Sequence, residues 1–256
     1  MKTNYEKVVD FNKCFGSLVS NVLNPSLFKS SPKLVDLKYS LIDEEINELV
    51  EAYNNNDIVE IIDALSDIKY VLHGMASAFG INMDLVFKHY LDVYVSSIKK
   101  QNGSNFNIIN SHYNFNNHVK NYKNNIKLVN IKKNLDEFIV IIQNINSNFK
   151  SIIETCNIDS LRINLCKLLY YVNKMGAYIG VNLDESFKIV HDSNMSKVCE
   201  SEELAKETVR WYLENDTRYK TPAYRESEFG WIVYNEDSGK ILKSIKYIPA
   251  DFTTLL

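Results

Sequence analysis

The sequence predicts an all-α protein: a helical bundle of two related, pseudo-dimeric halves with a small C-terminal β-hairpin. Three observations carry that prediction. Apolar residues recur three and four apart, as in Val8, Phe11, Phe15, Leu18 and Val22, which is one face of a helix. Residues 70–89 laid over 170–189 without a gap share Tyr70/Tyr170, Met75/Met175, Gly80/Gly180, Asn82/Asn182, Asp84/Asp184, Phe87/Phe187 and Lys88/Lys188, so a helical unit is duplicated. The period then changes. Trp231 to Tyr234, a turn from Asn235 to Gly239, and Lys240 to Tyr247 read as a β-hairpin.

A chain of 256 residues with a formal charge of −3 can bury a sizeable core, and its balance does not suit a general nucleic-acid binder. Cys14, Cys156, Cys166 and Cys199 are scattered, with no Cys-x-x-Cys spacing, which predicts free thiols and no zinc site. With no apolar run after Met1 and no stretch near 18 apolar residues, a cytoplasmic protein with no membrane partner is expected. The predicted organisation is a metal-binding helical half over 1–100, an Asn-rich linker over 101–130, a degenerate second half over 131–215 and a hairpin tail over 216–256.

The first helix is predicted over 3–23, ended or bent at Gly16. Asn24-Pro25 and Ser31-Pro32 mark a loop before a helix from about Leu34 to Tyr53. Asn54-Asn55-Asn56 breaks the chain, and a third helix from about Ile58 ends at Gly80. A fourth follows from Asn82 to Val95. Residues 101–130 are weakly periodic, and His112 and His118 within them read as solvated rather than as metal ligands.

The second and third helices hold the chemistry. Glu45 and Glu48 are three apart, as are Glu60 and Asp63, with Asp67 one turn on, so each helix carries an acidic face. A short polar connection folds such helices antiparallel, and facing carboxylates repel unless a cation lies between them. Oxygen-only ligands favour a hard ion, Mg²⁺ first and Mn²⁺ as its alternative. A solvated acidic face, or a capping box of Asp57 with Glu60, is the plainer reading. The apolar residues Ile61, Ile62, Ala64, Leu65 and Ile68 around Asp63 favour a buried carboxylate that needs a partner. Lys38 lies two turns before Glu45 on the same side, either solvated or meeting a phosphate.

Glu44-Glu45-x-x-Glu48 followed by Glu60-x-x-Asp63 resembles the signature of the all-α nucleoside triphosphate pyrophosphohydrolases, the superfamily of MazG, phosphoribosyl-ATP pyrophosphohydrolase and the dimeric dUTPases. The spacer is slightly short for that pattern. Asp63-Ala64-Leu65, Tyr70 to Gly74, Phe79 to Asn82, and His191-Asp-Ser-Asn-Met-Ser-Lys197 are similar to its MazG-like, phosphoribosyl-ATP-pyrophosphohydrolase-like branch. The resemblance covers most of 8–100 and 160–200. It implies hydrolysis of a (deoxy)nucleoside triphosphate or related nucleotide to the monophosphate and pyrophosphate, in nucleotide-pool housekeeping. Glu45, Glu48, Glu60 and Asp63 would hold Mg²⁺, with Glu44 and Asp67 as catalytic helpers. Phosphoribosyl-ATP as substrate, and a non-enzymatic nucleotide-binding or interaction protein on the same scaffold, are the alternatives. The absence of a Gly-x-x-x-x-Gly-Lys loop excludes a P-loop mechanism.

The remaining substrate-binding candidates are Phe15 and Tyr70 for the base, and His191, Ser193, Asn194 and Lys197 for the phosphates. Phe15 is also a core candidate, and Tyr70, matched by Tyr170, reads equally as structural. Asn194 and Lys197, three apart, are expected to reach across from the second unit; the alternative is a capped helix end with Lys197 solvated. Aligning Leu135 to Phe138 with Ile42 to Glu45 pairs Glu45 with Phe138 and Glu48 with Ile141, while the offset of 100 pairs Asp63 with Ile163. The second copy has lost its acids, which implies a single metal site per chain. Arg218, Lys220, Arg225, Lys240, Lys243 and Lys246 make the tail basic. It would cap the site, bind phosphates, or serve as a packing or homodimer element.

Overall fold

The computed structural model describes residues 2–102 and 128–255, in which nine α-helices precede a two-stranded antiparallel sheet. The first helix, α1 (Asn4–Cys14), starts in a capping box: Thr3 Oγ1 accepts from Glu6 N at 3.1 Å, and Thr3 N donates to Glu6 Oε2 at 2.8 Å. It stops well short of residue 23. Gly16 takes φ 72°, and Ser17 N donates back to Asn12 O at 2.7 Å. The next residues form an arm whose polar groups bind the end of the fourth helix, Ser20 N to Ser77 O (2.9 Å) and Asn24 N to Phe79 O (2.8 Å). Competition from these tertiary bonds replaces the predicted helical turns. A short helix, α2 (Leu27–Ser30), was not anticipated.

Two long helices follow, α3 (Pro32–Asn55) and α4 (Ile58–Ala78). Pro32 sits in the first turn of α3, where its missing N–H costs nothing, and Asn56 in the left-handed region (φ 55°) closes the hairpin. Asp57 caps α4, accepting from Val59 N and Glu60 N. Ile42, Ile46 and Leu49 of α3 and Ile62, Leu65 and Ile68 of α4 are fully buried between them, each contributing about 1.5–3 kcal/mol relative to exposure. Gly80 ends the unit at φ 67°, and a Cβ there would lie 1.9 Å from Val22 O, so only glycine fits.

Beyond it run α5 (Met83–Asn102), α6 (Leu128–Glu154), α7 (Ile158–Ile179), α8 (Leu183–Met195) and α9 (Glu202–Asn215). Helix thus occupies both ends of the predicted 101–130 linker; the rest of that linker, with His112 and His118, lies outside the described residues. No helix among the described residues is long and apolar enough to cross a membrane. All four cysteines are free.

The hairpins α3–α4 and α6–α7 repeat each other's turn geometry at an offset of 100 residues. Asn56 and Cys156 both take left-handed φ, 55° and 53°; Asp57 N donates to Ala52 O, and Asn157 N to Ile152 O. Gly80 and Gly180 match likewise, their amides bonding Ser77 O and Ala177 O. Since α3 and α6 are unbroken, the offset holds along them, which corrects the pairing of Glu45 with Phe138 and Glu48 with Ile141. Glu45 corresponds to Ile145, Glu48 to Asn148, Glu60 to Ser160, Asp63 to Ile163 and Asp67 to Lys167. The second copy still lacks the acids.

The β-hairpin is real but displaced. Its strands are β1 (Pro222–Ser227) and β2 (Gly230–Asn235), with Ala223 opposite Tyr234 and Ser227 opposite Gly230. Trp231 to Tyr234 is a strand as expected, but it pairs backwards in sequence, and residues 240–247 contribute only a bridge from Ile241 to Tyr234. Cys199, Leu204, Ala205, Tyr212, Val233 and Leu242 form a small core beneath α9 and the sheet.

Candidate active site

With Ile42, Ile46 and Leu49 turned into the core, Glu45 and Glu48 fall on the adjoining strip of α3; Asp63 and Asp67 occupy the matching half-buried strip of α4. Glu60 in the first turn of α4 gives its amide to Asp57, and its carboxylate lies close enough to raise both Glu48 and Asp63. All five carboxyls therefore belong to one electrostatic cluster, with exposed Glu44 at its rim.

Burial, then the charges of Asp67, Glu48, Glu44 and Asp63, push Glu45 up to about 9. Burial, Asp63 and Glu48 push Asp67 up to about 7 against the opposing pull of Lys197. Burial, then Glu60 and Glu48, raise Asp63 to about 6, and Glu48 is raised by burial, Glu44 and Glu60. Glu45 Oε2 is buried without a hydrogen-bond partner among the described residues. Such crowding is costly, and a cation relieves it. The donors are all carboxylate oxygens, which suits a hard divalent ion. They stand as neighbours rather than as a closed cage: among the described residues no three His, Cys, Asp or Glu side chains converge into a ready-made ligand set. Cavities of about 330 Å³ beside α1 and about 310 Å³ between α3 and α6 are not lined by any of the five acids.

A family model described as phosphoribosyl-ATP pyrophosphohydrolase matches residues 9–90, the stretch that contains all five acids. An uncharacterized protein of Acanthamoeba polyphaga mimivirus is 35% identical over 262 residues, covering 99% of this chain and 96% of its own. The domain matched over residues 9–90 belongs to the all-α nucleoside triphosphate pyrophosphohydrolase superfamily. No solved structure matches it. Membership of the pyrophosphohydrolase superfamily supports a nucleotide pyrophosphohydrolase-type function.

The other sequence-predicted residues lie in several places. Lys197 stands near Asp67, each shifting the other, and its Nζ donates to Asn194 Oδ1 at 2.6 Å. Lys197, just past the end of α8, thus lies within electrostatic reach of Asp67 on α4. Tyr70 and His191 are brought together by a 3.0 Å hydrogen bond between the hydroxyl and Nδ1, one turn along α4 from Asp67; Tyr70 also lies against Phe11 and Phe187. Ser193 points elsewhere, donating to Tyr247 Oη at 2.9 Å.

Phe15 is buried among Cys14 and Ile232, its ring 4.4 Å from that of Phe11. Lys38 is buried rather than solvated, its Nζ in the space left by the missing side chain of Gly74 and close to Asn12; burial lowers its proton affinity. Of the basic tail, expected to cap the site, bind phosphates or serve in packing or dimerisation, Lys240 and Lys243 lie close enough to Lys197 to lower its proton affinity. Their alternation with apolar residues was the available signal, and nothing local says which element they meet.

Proposed function

We propose that the protein is a Mg²⁺-dependent pyrophosphohydrolase that cleaves a (deoxy)nucleoside triphosphate or related nucleotide to the monophosphate and pyrophosphate, in nucleotide-pool housekeeping. The observation that carries this reading is the carboxylate cluster of α3 and α4, half-buried at Glu45, Asp63 and Asp67 and exposed at Glu48 and Glu60, with its unsatisfied Glu45 oxygen. Glu45, Glu48, Glu60 and Asp63 would hold Mg²⁺, or Mn²⁺ in its place. Such an ion, when bound, supplies charge neutralisation at phosphate oxygens and makes a bound water more acidic.

The chain's own groups supply the rest. Asp67, one turn beyond Asp63 and within electrostatic reach of Lys197, would orient a water and take its proton, with exposed Glu44 as the second helper. Lys197, held by Asn194, offers an ammonium to a phosphate oxygen. Tyr70 and His191 form an aromatic wall beside the cluster. The description of the matching family model favours phosphoribosyl-ATP as the second reading of the substrate. A panel of nucleotides including phosphoribosyl-ATP, read by pyrophosphate release, decides between them. Asp63→Asn should lower turnover by about 10²-fold or more with the fold intact; near-normal turnover in that variant removes the assignment.

A further inference from the structure

The tail that carries Lys240 and Lys243 is tied by polar contacts to the end of α8, just before Lys197. Tyr212 Oη donates to Lys243 O and accepts from Lys243 N, both at 3.1 Å, which clamps that residue's backbone at two points. The Lys243 ammonium lies 4.4 Å from the centre of the Tyr247 ring, and Tyr247 Oη accepts from Ser193 on α8. Ile248 N donates to Ser196 Oγ at 2.9 Å, a second tie between the tail and the end of α8. Lys240 is fixed through its carbonyl, which accepts from Asn235 N at 2.9 Å, and its ammonium rests 5.8 Å from the Tyr219 ring.

Six ion pairs occur among the described residues, and none of these three lysines takes part in one. The carboxylate that Lys197 faces is Asp67, whose charge opposes the effects of burial, Lys243 and Lys240 on it. Two exposed ammoniums outside any ion pair among the described residues, on a tail tied beside the lysine that faces Asp67, suit a ligand that carries several negative oxygens of its own. Two phosphates in a row meet that need; a single carboxylate or an apolar group does not.

We infer that Lys197, Lys240 and Lys243 form a cradle for the pyrophosphate end of the substrate, and for the pyrophosphate product, at the Asp67 edge of the carboxylate cluster. The inference rests on the pyrophosphohydrolase reading and assigns to it a part of the chain beyond the 9–90 match. Ser193 and Tyr247 are positioning residues here, since they act through Lys243 and Lys197.

The test is calorimetric titration of inorganic pyrophosphate into the full chain in Mg²⁺ buffer. K240Q/K243Q should weaken binding by about tenfold or more, K246Q, an exposed lysine on the same tail, by less than about twofold, and K240R/K243R should retain affinity. A nucleoside monophosphate should bind wild type and the glutamine pair alike. Undiminished pyrophosphate affinity in K240Q/K243Q overturns the cradle, as does an arginine pair that melts like wild type and binds as poorly as the glutamine pair. If wild type hydrolyses nucleotides but pyrophosphate affinity ignores the lysines, the cradle falls and the function stands. If pyrophosphate binds through the lysines but no nucleotide is hydrolysed, the function falls and the cradle stands.

Discussion

Replacing Glu45 with glutamine should stabilise the metal-free protein. In the folded chain the Glu45 carboxyl is pushed up to about 9 from an ordinary 4.5, burial first and four acidic neighbours after it. A raised folded pKa means that the native state holds a proton which the unfolded chain has released, so stability is full below the ordinary value and falls as pH rises toward about 9. At neutral pH that gap corresponds to about 3 kcal/mol. The repulsion is shared with Asp67, Glu48, Glu44 and Asp63, so one neutral replacement releases about 1–2 kcal/mol, or about 3–6 °C in Tm for a chain of this size. Thermal melts in chelator at pH 5 and pH 8 would show wild type losing stability with pH and E45Q losing less. Adding Mg²⁺ at pH 8 should raise the wild-type Tm and leave E45Q nearly unmoved. If E45Q melts below wild type in chelator at pH 8, the cluster is not strained and the reasoning fails.

Other perturbations test the frame around the site. Gly80→Ala should cost about 2 kcal/mol or more, from its left-handed φ and the Val22 carbonyl in the way; a denaturation midpoint equal to wild type would contradict this. Phe15→Ala should cost about 3 kcal/mol by chemical denaturation and leave relative rates across a nucleotide panel unchanged, because the ring fills the core against Phe11 and Ile232; an altered substrate order would return it to the base-binding candidates. Asp184 is held below the usual carboxylate range chiefly by Lys69, so its contribution is present above that range and lost as pH falls through the folded pKa. Asp184→Asn should therefore lower Tm at neutral pH and flatten its decline toward acid; an unchanged acid limb would exclude the pair as its source.

The acidic hairpin was legible because everything that forms it is local: three- and four-residue spacing, an Asp cap and an Asn turn within one stretch of α3 and α4. The duplication was legible at Gly80 and Gly180, where a left-handed turn restricts the residue choice. Its extension into α6 was misaligned because polar surface positions there carry no such restriction, so a chance match of Asp136-Glu137 to Asp43-Glu44 outweighed the true register. The end of α1 was missed since it depends on carbonyls of Ser77 and Phe79, more than fifty residues away. The tail was misread for a similar reason: residues 240–247 have strand-like alternation, but their amides bond to Tyr212 and Val233 rather than to a continuous ladder.

The bond from Arg225 Nη2 to the Phe15 carbonyl, 2.9 Å long, spans 210 positions, and that from Asn4 to Asp184 spans 180. Helix α1 packs on α4, where Asn12 donates to Ser77, yet these two bonds tie the same segment to α8 and β1, which are made much later than either helix. The α3–α4 hairpin, whose contacts are short in sequence, can assemble as soon as it emerges, while the bonds of Asn4 and Phe15 to α8 and β1 wait for closure of a very long loop. During synthesis the carboxylate cluster is therefore complete before the lysines of the tail exist. On the proposed metal reading, the acids of a nascent chain face the ions of the surrounding solution well before the rest of the protein arrives to cover them.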